Sequence, residues 1–181
     1  MKIIKVMSHM GGTEFIKSNH PERWTEIEQA IQSVDPASMK TKVSKEIKHT
    51  GKLLYSPKTM NNAINESLRL AGWKPMTEDT QMLERVEGSR GSRRVIDFAK
   101  DGIAIEVQFG KYAFIAYDFV KFLTFYEEQR INVGVEIMAM RSLTKEMSSG
   151  VGSWESAMQV LKTRPRGHPP MPLVLIGMGV N

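Results

Sequence analysis

The segment RVIDFAKDGIAIEVQFG, residues 94–110, is the most informative part of this chain of 181 residues. At its centre stands Asp101-Gly102, a dipeptide that accepts the two positive φ angles of a two-residue type I′ turn. Apolar and polar side chains alternate on both sides of this dipeptide, which is the period of a β-strand. The segment therefore predicts a β-hairpin over residues 93–108.

The turn determines which side chains share a face of the hairpin. With Asp101 and Gly102 in the turn, Asp97 lies opposite Glu106. Side chains alternate across a strand, so the polar face carries Asp97, Glu106 and Gln108. The other face is predicted to be core and carries the apolar residues Ile96, Phe98, Ile103, Ile105 and Val107.

Two facing carboxylates need a positive partner. The Cβ atoms of directly opposed residues lie roughly 4.5–5.5 Å apart, and like charges at that distance destabilise a strand pair. A divalent cation would compensate Asp97 and Glu106, and Mg²⁺ prefers hard oxygen ligands of this kind. Such an ion lowers the pKa of a bound water and stabilises charge on a transferring phosphoryl group. Gln108 cannot act as a base, but its amide can orient a water or a metal ligand.

The same spacing also fits a solvent-facing hairpin without a metal. In that interpretation Asp97 and Glu106 are exposed, and Arg93, Arg94 or Lys100 neutralises them. The spacing of the acidic residues does not decide between the two interpretations.

Downstream of the hairpin, the hydrophobic pattern predicts a helix over residues 116–129, a strand over 133–140, a helix over 153–162 and a buried strand over 173–178. The order ββ-α-β-α-β indicates an α/β fold, with a mixed central sheet flanked by helices. Aromatic residues lie on more than one side of helix 116–129, so we expect this helix to contribute to a dimer surface as well as to the core.

Upstream, residues 1–9 predict a first strand, and residues 14–34 predict one helix, or two with the second beginning at Pro21. Residues 40–52 are lysine-rich and predict a mobile or ligand-facing loop. Residues 59–73 predict a helix, and polar residues 78–94 a surface connection. Five residues of helix 59–73 are expected to point inward: Met60, Ala63, Ile64, Leu68 and Leu70. The length fits a single domain over residues 1–181.

Composition narrows the classes of function. The chain has no cysteine, which excludes disulfides, cysteine-ligated zinc and a thiol nucleophile. Its net charge of +5 and pI of about 9.4 favour a polyanionic partner. The opening residues lack the pattern of a signal peptide, and the apolar stretch 172–180 is shorter than the roughly 18 residues that span a bilayer. We expect a soluble, cytoplasmic protein without a membrane partner.

Asp97, eight intervening residues and Glu106-Val107-Gln108 resemble the PD-(D/E)xK nuclease motif, in the form where glutamine replaces the final lysine. The Glu-x-Gln within IEVQFGKYAFIAYD, residues 105–118, is similar to that of the BglII/BstYI group of type II restriction endonucleases. The likeness is greater to the BstYI side, through MKIIKVMSH, ERWTEIEQAI, GKLLYSP, INVGVEIMAM, KEMSSG and PLVLIGM. It is weakest over residues 78–94, and Ile96 stands where the motif has proline.

The resemblance implies a restriction-endonuclease-like core and a homodimer that binds double-stranded DNA. The implied reaction is Mg²⁺-dependent hydrolysis at a palindromic site centred on GATC, either purine-GATC-pyrimidine or AGATCT, leaving 5′ overhangs. Asp97, Glu106 and Gln108 are then the catalytic residues, with Asp97 and Glu106 as metal ligands. Two alternatives stay open: a nonspecific or repair nuclease of the same fold, and a DNA-binding module whose nuclease site has decayed.

Other residues are candidates for DNA contact. Lys111 matches a lysine in the GKY segment of the group, and Ser148 and Ser149 lie in a glycine-flanked loop where hydroxyl and N–H groups can meet phosphates or base edges. Arg166, in a proline-rich loop, is a candidate phosphate contact. Glu26, on the first long helix, is a possible additional acidic residue near the metal.

Overall fold

The computed structural model describes residues 1–47, 50–77, 95–163 and 167–180. Its strands are β1 (Lys2–His9), β2 (Lys42–Val43), β3 (Leu53–Leu54), β4 (Lys74–Thr77), β5 (Val95–Lys100), β6 (Ile103–Gln108), β7 (Val133–Ala139) and β8 (Leu173–Gly179). Its helices are α1 (Gly12–Asn19), α2 (Pro21–Gln32), α3 (Pro36–Met39), α4 (Pro57–Leu70), α5 (Phe114–Glu127), α6 (Arg141–Thr144) and α7 (Trp154–Lys162).

Six strands form one mixed sheet in the order β1-β8-β7-β6-β5-β4. β6, β7 and β8 run parallel to one another, as expected for strands joined by helical crossovers. β1 pairs antiparallel with β8, and β4, β5 and β6 form antiparallel pairs at the other edge. β2 and β3 form a separate two-stranded ribbon. The predicted α/β class with a mixed sheet is confirmed.

Helices cover both faces of the sheet. α1, α2 and α4 pack on one face, through a core that includes Ile27, Ile64 and Ile105. α5 and α7 pack on the other face, through a core that includes Phe122 and Ala157. Within the described ranges, none of the helices is long and apolar enough to cross a membrane.

Most of the predicted elements are found within a few residues of their expected bounds. Of the two possibilities for residues 14–34, the structure has two helices, and Pro21 is the first residue of the second. Met60, Ile64 and Leu68 are buried in α4 as predicted, but Leu70 is 84% exposed. The expectation for Leu70 was wrong because a residue two positions after Leu68 lies about 200° around a helix from it.

The loop predicted over residues 40–52 is partly paired. β2 and β3 lie within or next to it and form two residue pairs, Lys42 with Leu54 and Val43 with Leu53. Residues 48–49 lie outside the described residues, as does the surface connection predicted over 78–94.

The hairpin has the predicted turn. Asp101 and Gly102 have φ angles of 49° and 75°. The pairing begins with Lys100 and Ile103 and continues to Phe98 and Ile105.

The prediction that Ile96 lies on the same face of the hairpin as Phe98 is wrong. Phe98 lies in the core under α2 and α4, whereas Ile96 lies in the core under α5. Lys74 pairs with Ala99 and Met76 with Ile96, so two residues of β5 lie opposite the single residue Pro75. An extra residue in one strand reverses the alternation of side chains beyond it. Simple alternation therefore fails at Asp97.

Candidate active site

The face of the sheet under α5 gathers the acidic residues of the hairpin and of β7. Glu106 on β6 is paired with Glu136 on β7 in the parallel register. Gly134, two residues before Glu136, lets Phe122 of α5 approach β7 closely, because a Cβ there would lie 2.8 Å from the ring. α5 therefore packs close enough for its own polar side chains to reach Glu106.

Lys121 of α5 is the cation that contacts Glu106. Its Nζ donates to Glu106 Oε1 at 2.6 Å and to Asp118 Oδ1 at 2.8 Å. A longer hydrogen bond of 3.3 Å reaches the carbonyl oxygen of Val95, and the ring centre of Tyr117 lies 5.6 Å away. Lys121 is 8% exposed, so these groups replace water around its ammonium.

The side-chain amide of Gln108 is fixed at both ends. Its Nε2 donates to Asp118 Oδ2, and its Oε1 accepts from the backbone N of Gly110 at 2.7 Å. Asp118 and Lys121 lie three residues apart on α5, which places them on one side of the helix. This pair therefore contacts both Glu106 and Gln108.

Asp97 lies at the irregular part of β5 and is exposed. Its Oδ2 accepts from the backbone N of Val107 at 3.1 Å, which directs the carboxylate toward β6. Its charge contributes to raising the pKa of Glu106. The structure thus brings Asp97, Glu106 and Gln108 together, with Asp97 on the solvent side.

Glu136 is completely buried, and neither of its carboxyl oxygens has a hydrogen-bond partner among the described residues. Burial raises the pKa of this carboxyl well above its usual range, and the charges of Asp118 and Glu106 raise it further. Buried polar atoms without a partner are uncommon in folded proteins. The raised pKa disfavours the charged form of Glu136, and its oxygens can accept a further partner.

Charge is poorly balanced around Glu106. Burial raises the pKa of Glu106 to about 8, with a further contribution from Asp97, and Lys121 offsets only part of this. Burial lowers the pKa of Lys121, but Glu106 and Asp118 outweigh that effect, so the pKa of Lys121 lies above its usual value. We name the six residues Asp97, Glu106, Gln108, Asp118, Lys121 and Glu136 the Glu106 cluster.

The Glu106 cluster suits a divalent cation. It contains four carboxyl groups and a single ammonium, and the carboxyl oxygens of Glu136 have no hydrogen-bond partner among the described residues. Asp97 and Glu106 offer the hard oxygen ligands that Mg²⁺ prefers. Water and substrate oxygens would complete the coordination, as is usual for Mg²⁺.

A second acidic group lies at the hairpin turn. Within the described part of the chain, His20, Glu22 and Asp101 alone form a set of three whose ligand atoms lie within 4.8 Å of one another. The carboxylate of Asp101 already accepts from Arg23 Nε at 2.7 Å. The guanidinium supplies the positive partner, so this group does not indicate a metal site.

Glu26 is not brought to the Glu106 cluster. It lies on α2, which packs on the opposite face of the sheet from α5. Its Oε1 accepts from Lys100 Nζ at 2.9 Å and from Arg23 Nη1 at 2.7 Å, and its Oε2 accepts from Trp73 Nε1 at 2.8 Å. These donors lower the pKa of Glu26, although burial acts in the other direction. We name Glu26, Lys100, Arg23 and Trp73 the Glu26 cluster.

Lys111 lies next to the loop that holds Ser148 and Ser149, which we name the serine loop. The backbone of Lys111 forms an isolated bridge with Val151, and the backbone N of Tyr112 donates to the carbonyl oxygen of Gly150 at 3.0 Å. The side chain of Lys111 is exposed. Because Gly110 also contacts Gln108, this strip is continuous with the Glu106 cluster.

The serine loop contacts the lysine-rich residues of the β2 region. Ser148 Oγ accepts from Lys42 Nζ, and the backbone N of Ser149 donates to Glu46 Oε1 at 2.8 Å. Lys111, Ser148 and Ser149 are thus brought to one surface. Arg166, the remaining predicted DNA contact, lies outside the described residues.

Sequence reasoning missed three members of the Glu106 cluster: Asp118, Lys121 and Glu136. A signal was present for each. Glu136 is a single acidic residue in the otherwise apolar strand VGVEIMA, and Asp118 and Lys121 are charged residues at helical spacing among the aromatic residues of α5. A charge inside an apolar element indicates either a partner or a function.

Comparisons with known proteins identify the family and the fold of the chain. Residues 4–178 match the family described as "Restriction endonuclease BglII/BglIII". A crystal structure of restriction endonuclease BglII complexed with a DNA 16-mer is similar over 100% of this chain and 78% of that chain, with a TM-score of 0.79 and 22% identity. A structure of free BglII is similar over 100% of this chain and 81% of that chain, with a TM-score of 0.67 and 19% identity. A comparison with curated proteins gave no match. The structural likenesses confirm the predicted restriction-endonuclease-like fold.

Proposed function

The chain belongs to the BglII/BglIII restriction endonuclease family, and on that premise we propose that it hydrolyses DNA at a palindromic site centred on GATC, with Mg²⁺ as its cofactor. As a member of this family it is a type II site-specific deoxyribonuclease. The proposed site is purine-GATC-pyrimidine or AGATCT, and the proposed products carry 5′ overhangs. A greater likeness to BstYI than to BglII stays a prediction from the sequence.

The observation that carries the proposal is the surplus of carboxyl groups at the Glu106 cluster. Asp97 and Glu106 would hold the metal ion. When bound, such an ion activates a water and stabilises negative charge on the reacting phosphate. Gln108 is held by Asp118 and Gly110 in one orientation, from which its amide can orient a water or a ligand. We assign Asp97, Glu106 and Gln108 as the catalytic residues.

The proposed DNA surface continues from Gln108 to Lys111 and the serine loop. Lys111 is suited to a phosphate contact, and the hydroxyl groups of Ser148 and Ser149 are suited to base edges. Two lysines at this loop supply positive charge for phosphates, which supports the assignment. Lys42 Nζ donates to Ser148 Oγ, and the exposed side chain of Lys111 lies next to the same loop. Arg166 stays a predicted phosphate contact.

We propose that the enzyme is a homodimer, since a palindromic site has two-fold symmetry and one active site cuts one strand at a time. The exposed apolar side of α5 supports this: Phe114 is 51% exposed, Tyr117 44% and Val120 47%. Their spacing of three places them on one side of the helix. We also propose a single domain over residues 1–181 and a cytoplasmic location.

Mapping the ends of cleaved DNA tests the proposal. The purified protein is incubated with Mg²⁺ and a long DNA of known sequence, and the fragment ends are sequenced. Discrete fragments with 5′ overhangs at GATC-centred sites are expected. A smear would instead indicate a nonspecific nuclease, and intact DNA that is nevertheless bound would indicate a DNA-binding module. A protein that sediments with the mass of one subunit per cognate duplex would contradict the dimer.

A second experiment separates base recognition from phosphate contact. Ser148→Ala or Ser149→Ala is expected to weaken binding to the cognate duplex by roughly 1–3 kcal/mol and to leave nonspecific binding nearly unchanged. Lys111→Ala should weaken binding to both duplexes and flatten the salt dependence. Isotherms on cognate and scrambled duplexes at several salt concentrations distinguish these outcomes. Equal losses on both duplexes for the serine variants would show that the loop positions DNA without recognising bases.

A further inference from the structure

Lys121 has no role in the function proposed above, yet it is the ammonium in direct contact with Glu106. Its Nζ lies 2.6 Å from Glu106 Oε1 and 2.8 Å from Asp118 Oδ1. Both distances are those of strong, charge-assisted hydrogen bonds. One oxygen of a carboxylate that is assigned as a metal ligand is therefore already occupied by a cation of the chain itself.

The local structure makes this contact hard to avoid in the metal-free chain. Lys121 is 8% exposed and Glu106 is 5% exposed, so water cannot replace either partner. The neighbouring carboxylate of Asp118 adds negative charge around the same ammonium. Removing Lys121 would be strongly destabilising, because Glu106 would be left buried without a cation, whereas neutralising Glu106 leaves Lys121 bound to Asp118.

A divalent ion and an ammonium at the same carboxylate repel each other. They can share Glu106 only if the ammonium moves away from Oε1, and the second contact of Lys121, with Asp118, gives it a place to remain. Asp118 also accepts a hydrogen bond from Gln108. A shift of Lys121 toward Asp118 would therefore change the hydrogen bond that the Gln108 amide donates.

We propose that Lys121 is a positioning residue that serves as the counter-ion of Glu106 in the metal-free enzyme and releases it to the divalent ion, staying bound to Asp118. The inference rests on the proposed function, since it takes Glu106 as a metal ligand. Lys121 orients Glu106 before the ion arrives and lowers the affinity of the DNA-free enzyme for that ion.

Thermal unfolding of the DNA-free protein tests this without measuring cleavage. Lys121→Met is expected to be less stable than the parent in EDTA. Excess Ca²⁺ should raise the unfolding midpoint of Lys121→Met by about 5 °C more than that of the parent. Calorimetry should show Ca²⁺ binding at least tenfold tighter to Lys121→Met than to the parent.

Two variants serve as controls. Lys100→Met removes the corresponding lysine of the Glu26 cluster, whose Nζ lies 2.9 Å from Glu26 Oε1, and its loss of stability should not be recovered by Ca²⁺. Adding Glu106→Gln to Lys121→Met should abolish the extra effect of Ca²⁺. Equal effects of Ca²⁺ on the Lys121→Met and Lys100→Met proteins would overturn the proposal and leave Lys121 with a structural role.

The parent protein gives a second measurement in case Lys121→Met does not fold. The ¹⁵N ammonium signal of Lys121, assigned by its loss in Lys121→Arg, should shift on titration with Ca²⁺, whereas that of Lys100 should not. An unchanged Lys121 signal in a parent protein that binds Ca²⁺ and cleaves DNA with Mg²⁺ would contradict the inference and leave the proposed function intact. A parent that neither binds Ca²⁺ nor cleaves DNA would contradict both.

Discussion

Two lysine–glutamate pairs lie on opposite faces of the same sheet and differ in how their charges are balanced. In the Glu26 cluster, one carboxylate receives hydrogen bonds from Lys100, Arg23 and Trp73, and its pKa is lowered. In the Glu106 cluster, the one ammonium contacts two of four carboxyl groups, and the pKa of Glu106 is raised to about 8. The first glutamate has a full set of donors and stabilises the fold, whereas the second cluster leaves the carboxyl oxygens of Glu136 without partners among the described residues. An acidic site whose carboxyl groups outnumber its cations is suited to a metal ion.

The largest expected difference between the two clusters is in catalysis. Glu106→Gln should reduce cleavage by about a thousandfold or more, because a lost metal ligand removes several kcal/mol of transition-state stabilisation. Asp97→Asn should have a similar effect, and both proteins should still bind cognate DNA in Ca²⁺. Glu26→Gln, the matched control, should cleave within about threefold of the parent. Single-turnover cleavage by Glu106→Gln within about tenfold of the parent would remove Glu106 from the catalytic site.

The two clusters should also differ in their response to pH. Because the pKa of Glu106 is raised to about 8 in the metal-free chain, a proton competes with the metal below that pH. The Mg²⁺ concentration for half-maximal cleavage should therefore fall by about tenfold per pH unit as the pH rises toward 8, and then level off. Cleavage rates measured over a grid of pH and Mg²⁺ concentration give this slope. A requirement for Mg²⁺ that is constant from pH 6 to pH 8 would contradict the assignment.

Stability should respond in opposite directions to neutralising the two glutamates. Glu26→Gln should lose about 1–3 kcal/mol of the free energy of unfolding, since buried donors lose a charged acceptor. The lowered pKa of Glu26 means that its contribution is present above the unfolded-state pKa and is lost as the pH falls through the folded-state pKa.

The raised pKa of Glu106 makes stability depend on pH in the opposite direction. Its contribution is present below the unfolded-state pKa and is lost as the pH rises toward about 8. Glu106→Gln should therefore lose no stability at pH 8.5 in EDTA, and we expect a gain. Urea unfolding of both variants at pH 8.5 measures the difference. A larger loss for Glu106→Gln than for Glu26→Gln would show that the Glu106 cluster is stabilising in the absence of metal.

The smallest effect is expected at the edge of the Glu26 cluster. Asp101→Asn removes the ion pair with Arg23, but asparagine also adopts the positive φ angle found at this turn position. Exposed ion pairs contribute little, and Arg23 keeps its contact with Glu26, so the unfolding midpoint should change by less than about 2 °C. Differential scanning calorimetry checks this value, and a larger decrease would show that the turn depends on the ion pair.

The sequence alone determined the local features whose physical causes lie within a few residues of one another. Asp101-Gly102 specifies its turn because both residues accept positive φ angles, and Pro21 begins the helix that contains it. The apolar side chains of residues 133–139 and 114–127 indicate a buried strand and a buried helix. The motif residues Asp97, Glu106 and Gln108 were chosen through the resemblance to the nuclease motif, because their spacing fits an exposed hairpin equally well. Alternation places Glu106 and Gln108 on one face of β6, whereas the extra residue of β5 breaks the alternation at Asp97, and the regular pairing of the hairpin ends at Phe98 and Ile105.

Tertiary structure alone decided the partners of those residues. The extra residue of β5 depends on pairing with β4 at Pro75, which the hairpin sequence does not contain, and it moved Ile96 to the other face. Lys121 reaches Glu106 because Gly134 lets α5 close onto β7, and the sheet itself separates Glu26 from this site. Burial and the sum of nearby charges set the pKa of a carboxyl, and both are properties of packed elements that are distant along the chain.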